Sequence, residues 1–148
     1  ITGAGGSIGS ELSRKILNLN PKKLILLDVS ENSIYNLKAS LEKYFSKKNI
    51  CFLCSNVRNL IEVEKIFREH KPHIIYHAAA LKHVAICEEN ISEAIRTNVL
   101  ATHILANLSE KYKAKCFVCD TGVSTLREIL AITKKEIGGQ LCLTILMQ

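Results

Sequence analysis

The sequence predicts an α/β fold, a parallel sheet with helices wound on both of its faces, on three observations. Short continuous apolar runs alternate with stretches whose apolar residues recur at helical spacing. A glycine-rich turn, Gly3-Ala4-Gly5-Gly6-Ser7-Ile8-Gly9, stands immediately before the first helical stretch. An aspartate, Asp28, closes the apolar run that follows that helix. At 148 residues and 47% hydrophobic, the chain is of single-domain size and can bury a core, which excludes disorder. One domain over 1–148 is expected.

Ile1 and Thr2 are all that precedes the glycine turn, so the first strand is expected to be truncated. Ile8, Leu12, Ile16 and Leu19 then mark the apolar face of a helix that Asn20-Pro21 ends. LILLD (24–28) is a short apolar run of the kind buried on both faces of a parallel sheet. Ile34, Leu37, Leu41 and Phe45 mark a second helix, and CFLCSN (51–56) a strand. Val63, Ile66 and Phe67 mark a third helix, stopped by Lys71-Pro72. HIIYHAAA (73–80) is the next strand, followed by a long helical region from about Glu88 to Tyr112 and a strand at KCFVCD (115–120). Leu126, Ile129, Leu130, Ile137 and Leu141 outline a last helix, blurred by Gly138-Gly139.

Right-handed crossovers between such strands give a Rossmann-like doubly wound sheet with the usual order 3-2-1-4-5, the strand of Ile1 lying in the middle. Removing most of that central strand would leave its neighbours short of backbone partners.

Several chemistries are set aside by the same reading. The C-x-x-C pairs Cys51/Cys54 and Cys116/Cys119 lie in strand-like runs, where residues three apart point to opposite faces and cannot chelate together. The strand order separates the two pairs by roughly 19 Å, so no shared metal is expected and the thiols read as buried and reduced. His73 and His77 have helical metal-pair spacing but sit in a strand. The net charge of +6 comes from lysines scattered over Lys15, Lys22, Lys23, Lys38, Lys43, Lys47 and Lys48, with no basic stripe or interleaved aromatics, so nucleic acid is not an expected partner. No run reaches a membrane span and no signal pattern opens the chain. A cytoplasmic segment without membrane contact is expected, with an anchor upstream of Ile1 left open.

The glycine turn has the spacing a backbone needs to leave a strand sharply, pass close to a pyrophosphate and enter a helix whose first N–H groups face the anion. Asp28 follows Gly9 by 19 residues, at a strand end where a carboxylate accepts both ribose hydroxyls of an adenosine and repels a 2′-phosphate, so NAD is favoured over NADP. Asn56-Val57, ending the third strand, is placed to reach the adenine, and Ala78-Ala79-Ala80 are small enough to let a dinucleotide pass. Lys82-His83, at a strand's carboxyl end, is either a site element or a solvated loop.

ITGAGGSIGSEL (1–12), LLDVSE (26–31), NVRN (56–59), HAAALKHVAICEEN (77–90) and EAIRTNVLAT (93–102) together resemble the extended short-chain dehydrogenase/reductase superfamily, and within it the CapD-like polysaccharide-biosynthesis family, which includes UDP-N-acetylglucosamine 4,6-dehydratases. The resemblance implies that Gly3, Gly6, Ser7, Ile8 and Gly9 hold the pyrophosphate, Asp28 the ribose, and Asn56 and Val57 the adenine. Asn56 stands where the family normally has aspartate. Lys82 and His83 would face the sugar nucleotide, and Asn98 would sit in the helix behind the nicotinamide pocket, although an asparagine in mid-helix is more often a bystander. A UDP-sugar substrate and a homo-oligomer of the full-length protein are implied, as is a chain that stops before the substrate-binding portion.

The likeness breaks after Phe117-Val118, where relatives carry S-T-D-K and this chain reads CDTGVSTLREILAITKKEIGGQL. Leu130-x-x-x-Lys134 matches the later Met/Tyr-x-x-x-Lys motif, so Lys134 would hold the nicotinamide ribose and tune a neighbouring pKa. Asp120 and Thr121 are the nearest survivors of the missing pair. A 4,6-dehydratase oxidises C4 of its sugar, eliminates water across C5 and C6 and returns the hydride to C6, so it needs acid and base groups in hydrogen-bond reach of the sugar. The alternatives are a nucleotide-sugar epimerase of the same superfamily, or a dinucleotide-binding fragment that turns nothing over.

Overall fold

The structure, a computed structural model, describes residues 1–42, 49–119 and 142–145. Phe45, the expected last helix over 126–141, and the candidate catalytic residues Asp120, Thr121 and Lys134 lie outside the described residues.

The sheet grows outward on both sides of Thr2. Thr2 bridges in parallel to Leu27 on one side and His77 on the other. On the first side, β1 (Leu24–Asp28) pairs in parallel with β2 (Ile50–Cys54), Leu24 opposite Ile50 and Asp28 opposite Cys54. On the second, β3 (Ile74–His77) pairs with β4 (Cys116–Cys119), and β4 with β5 (Cys142–Ile145), all in parallel. The order β2-β1-Thr2-β3-β4 is the expected one, and it places the two cysteine pairs on strands four positions apart. β5 was not expected: LCLTILM is too short for periodicity to separate a buried strand from a helix end.

Ile1 and Thr2 stitch together the carboxyl halves of β1 and β3. Leu27 N–H donates to Ile1 O at 2.9 Å and Thr2 N–H to Tyr76 O at 2.9 Å, while Ala78 N–H returns to Thr2 O at 3.1 Å. The Ile1 main-chain nitrogen donates to Ile25 O at 2.7 Å.

Both faces of β1 are covered, as a continuous apolar run requires. Leu24 and Leu26 join Ala4, Leu17, Leu37 and Leu41 on one face, beneath α1 (Ser7–Asn18) and α2 (Glu31–Leu41). Leu27 joins Val57, Val63, Phe67, Ile75, Leu105 and Phe117 on the other, beneath α3 (Leu60–His70) and α6 (Ala101–Lys111). Among the described residues β2 is the sheet edge, so Cys51 is only half-buried and Cys54 is exposed, which corrects the expectation of buried thiols there.

Local chemistry sets the helix ends. Ser30 caps α2 by accepting from Ser33 N–H at 3.2 Å, and Lys71, at φ 43°, turns the chain out of α3 ahead of Pro72. The buried face of α1 is Gly9, Ser13 and Leu17, one position round from the expected Ile8, Leu12 and Ile16, and Leu19 is 79% exposed. The face is turned because this helix must lie flat against the glycine turn, which only a small residue at its contact point permits. The long helical region starts at Val84 rather than Glu88 and is interrupted. α4 (Val84–Glu89) ends at Asn90, α5 (Ile91–Ala94) follows, and a π-helical segment over Ile95–Leu100 leads into α6.

Candidate functional site

The glycine turn is packed so tightly that its sequence is dictated by contact. Gly3 has φ 63°, and a Cβ there would lie 2.6 Å from the Ala78 carbonyl carbon and the Ala79 nitrogen. A Cβ on Gly9 would lie 2.0 Å from Gly3 O, so α1 meets the turn backbone to backbone. Gly6 then occupies the N-cap of α1 without a side chain to cap it, and the first turn carries no acidic residue. The amides that open α1, at Ser7, Ile8 and Gly9, therefore form a positive helix end with no built-in anion, a place suited to a phosphate group.

Asp28 is aimed by the main chain. Its Oδ2 accepts from Gly5 N–H and its Oδ1 from Ser30 N–H, both at 2.9 Å. A carboxylate has about four lone-pair sites, so each oxygen keeps one for a ligand hydroxyl. Gly5 thus ties the acidic group to the glycine turn.

At the far end, Asn56 follows β2. Its Oδ1 accepts from Arg58 N–H at 3.0 Å and from Arg58 Nε at 3.1 Å, and Arg58 Nη1 pairs with Glu93 Oε1 on α5. This pair was not foreseen. Arg58 and Glu93 are 35 positions apart and only the fold brings them together.

The floor is the end of β3 and the loop after it. Asn98, buried in the π-helical segment, grips that loop with both ends of its carboxamide: Leu81 N–H donates to Oδ1 at 2.8 Å, and Nδ2 donates to Leu81 O at 2.9 Å. Asn98 therefore acts on the loop backbone rather than lining the space above it. Thr102 donates its hydroxyl proton to Asn98 O at 2.7 Å, which makes the buried His77 Nε2, 3.0 Å away, the donor toward Thr102; Thr2 Oγ1 lies 2.7 Å from Nδ1 on the other side. The chain from Thr2 to Thr102 joins the central strand to the helix behind the loop.

These parts enclose one cavity of about 300 Å³. Gly3, Gly6, Asp28, Asn56, Val57 and Ala78 to Ala80, all expected, line it, together with Val29, Ser55, Arg58, Leu81, Glu93 and Thr97, which were not. Ser7 and Ile8 stand beside it on the first turn of α1, and Gly9 lies beneath the turn. Lys82 and His83 are exposed on the loop just past Leu81 and do not line it. Among the described residues, no three His, Cys, Asp or Glu side chains gather as a metal site, and no helix is long and apolar enough to cross a membrane.

Comparison with known proteins places this architecture. The family described as "Polysaccharide biosynthesis protein" matches residues 1–132. The capsular polysaccharide biosynthesis protein CapD of Staphylococcus aureus is 41% identical over 119 residues, which is 80% of this chain and 20% of CapD. Thus the chain spans about a fifth of that relative's length. Among solved structures, the dTDP-glucose 4,6-dehydratase DesIV of Streptomyces venezuelae, with NAD and TYD bound, superposes with a TM-score of 0.75 at 19% identity, over 97% of this chain and 53% of DesIV. The Bordetella bronchiseptica enzyme WbmG, in complex with NAD and UDP, gives a TM-score of 0.63 at 19% identity, over 80% of this chain and 35% of WbmG. These two likenesses establish the Rossmann-like fold.

Proposed function

The chain belongs to the polysaccharide biosynthesis protein family, within the extended short-chain dehydrogenase/reductase superfamily, and from that premise we propose that residues 1–148 are the NAD-binding part of a nucleotide-sugar 4,6-dehydratase acting on a UDP-sugar of the UDP-N-acetylglucosamine kind. One observation carries the reading. An uncapped helix N-terminus and an aspartate held by two main-chain amides open into the same cavity, at the distance set by the Gly5 to Asp28 hydrogen bond. A diphosphate and a diol are the chemical complements of those two features. NAD and UDP in WbmG, and NAD in DesIV, support the same assignment.

Bound NAD would supply the hydride acceptor at C4 of the sugar and the donor at C6. The chain's own residues bind and orient. The α1 amides would face the diphosphate, Asp28 would accept from the ribose hydroxyls, and Asn98 would hold the Leu81 loop that carries Lys82 and His83 toward the sugar nucleotide. Asp120 and Thr121 are the proposed catalytic residues nearest the sugar, and Lys134 would hold the nicotinamide ribose and tune a neighbouring pKa. The exposed free thiol of Cys54 suits a reducing, cytoplasmic compartment.

Incubating the protein with UDP-N-acetylglucosamine and NAD, and following the sugar by NMR, tests this. A 4-keto-6-deoxy product is expected. A 4-inverted sugar that keeps its 6-hydroxyl would point to an epimerase instead. The departure after Val118 favours a second reading, dinucleotide binding without turnover, and that reading predicts NAD binding with no change in the sugar.

A further inference from the structure

The carboxamide of Asn56 is oriented by its neighbours. Its Oδ1 accepts two hydrogen bonds from Arg58, from the main-chain N–H at 3.0 Å and from Nε at 3.1 Å. Turning the amide over would set its NH2 against two donors, so the oxygen must face Arg58. Arg58 is itself fastened from the opposite wall by the ion pair with Glu93. The group Asn56 has left for a ligand is Nδ2, which has no acceptor among the described residues, and Asn56 lines the cavity alongside Val57.

That geometry sets the polarity of recognition. A carboxylate at this position would offer a purine only acceptors, which suit the 6-amino group of adenine, a donor. The Asn56 amide offers a donor, which cannot pair with a 6-amino group but suits a 6-oxo group or a ring nitrogen, acceptors that a 6-oxopurine offers as readily as adenine does. We propose that Asn56, with Arg58 as its positioning residue, reads the base of the bound dinucleotide with a donor, so that this pocket accepts a 6-oxopurine dinucleotide at least as well as the 6-aminopurine one. The proposal rests on the reading of the cavity as a dinucleotide site.

Calorimetric titration with NAD and with nicotinamide hypoxanthine dinucleotide, on the wild type and Asn56→Asp, separates the two. The wild type is expected to bind both dinucleotides with similar affinity, or the hypoxanthine form more tightly. Asn56→Asp is expected to prefer NAD by roughly tenfold or more, about 1.4 kcal/mol, because its carboxylate offers only acceptors and so suits the 6-amino group. A wild type that prefers NAD roughly tenfold overturns the proposal and leaves the dinucleotide reading standing, and this ratio decides the matter even if the variant does not fold. A preference identical in wild type and variant also overturns it. Failure of both dinucleotides to bind the wild type overturns the dinucleotide reading and this proposal with it.

Discussion

Gly9 and Asn98 show how single residues hold the site in shape through the backbone they meet. A methyl group on Gly9 would sit 2.0 Å from Gly3 O, so Gly9→Ala must push α1 away from the turn. The expected result is a loss of stability of about 1–3 kcal/mol, the usual range for overpacking, together with loss of NAD binding. Denaturant unfolding and calorimetry read the two effects. Asn98→Ala takes the carboxamide away from Leu81 N–H and Leu81 O, leaving the oxygen only the weak Cys87 Sγ donor at 3.5 Å; these groups are part-buried and an unsatisfied group costs about 1–3 kcal/mol, so a drop within that range in urea unfolding is expected. A variant as stable as the wild type would mean that the clamp contributes nothing. At this scale the sequence was informative where chemistry and local spacing coincide: Gly3, Gly6 and Asp28 stand at recognisable offsets, and all three line the cavity. It was silent where partners are distant in the chain. Nothing local pairs Arg58 with Glu93, or sets His77 between Thr2 and Thr102.

Helix α1 carries the clearest lesson about elements. Apolar spacing picks out Ile8, Leu12, Ile16 and Leu19, yet Gly9, Ser13 and Leu17 are the residues buried. Periodicity weighs hydrophobicity, whereas this face is chosen for smallness, and Ser13 solves its own burial by donating to Gly9 O at 2.6 Å. The two views predict opposite outcomes for two leucines. Leu17→Ala should cost about 2–5 kcal/mol, as truncation of a buried leucine does, while Leu19→Ala, at a residue 79% exposed, should stay within about 0.5 kcal/mol of wild type. Paired thermal melts of the two variants check this. On the opposite face, Glu64 of α3 accepts from Lys111 Nζ at 2.5 Å and Tyr112 Oη at 3.1 Å, and these bonds hold its carboxyl below the usual range. A depressed carboxyl stabilises above its unfolded pKa and loses that contribution as pH falls through the folded one, so the small difference between wild type and Glu64→Gln should close in acid. The interruptions at Asn90 and in the π-helical segment had no sequence signal. No proline or glycine marks them, and the Asn98 clamp on Leu81 is a tertiary contact.

For the molecule as a whole, strand order was legible because alternating apolar runs and helices leave few right-handed solutions, and the order β2-β1-Thr2-β3-β4 follows from them. Burial along the edge was less so: CFLC and CFVC look alike, yet β2 is an edge strand and β4 an interior one. The doubly wound sheet gathers the glycine turn, Asp28, Asn56 and the Ala78 loop at the carboxyl ends of its central strands, which is where such sheets bind ligands. Occupying that place should stabilise the whole fold. At a hundredfold excess over its dissociation constant, NAD should add about 2.7 kcal/mol, seen as a rise of several degrees in the melting temperature. The most direct measurement is calorimetric titration of wild type and Asp28→Ala with NAD and NADP. The wild type should bind NAD and discriminate against NADP by roughly tenfold or more, and Asp28→Ala should bind NAD more weakly and lose the discrimination. Equal affinity of the wild type for both dinucleotides, or an Asp28→Ala variant indistinguishable from it, would contradict the account.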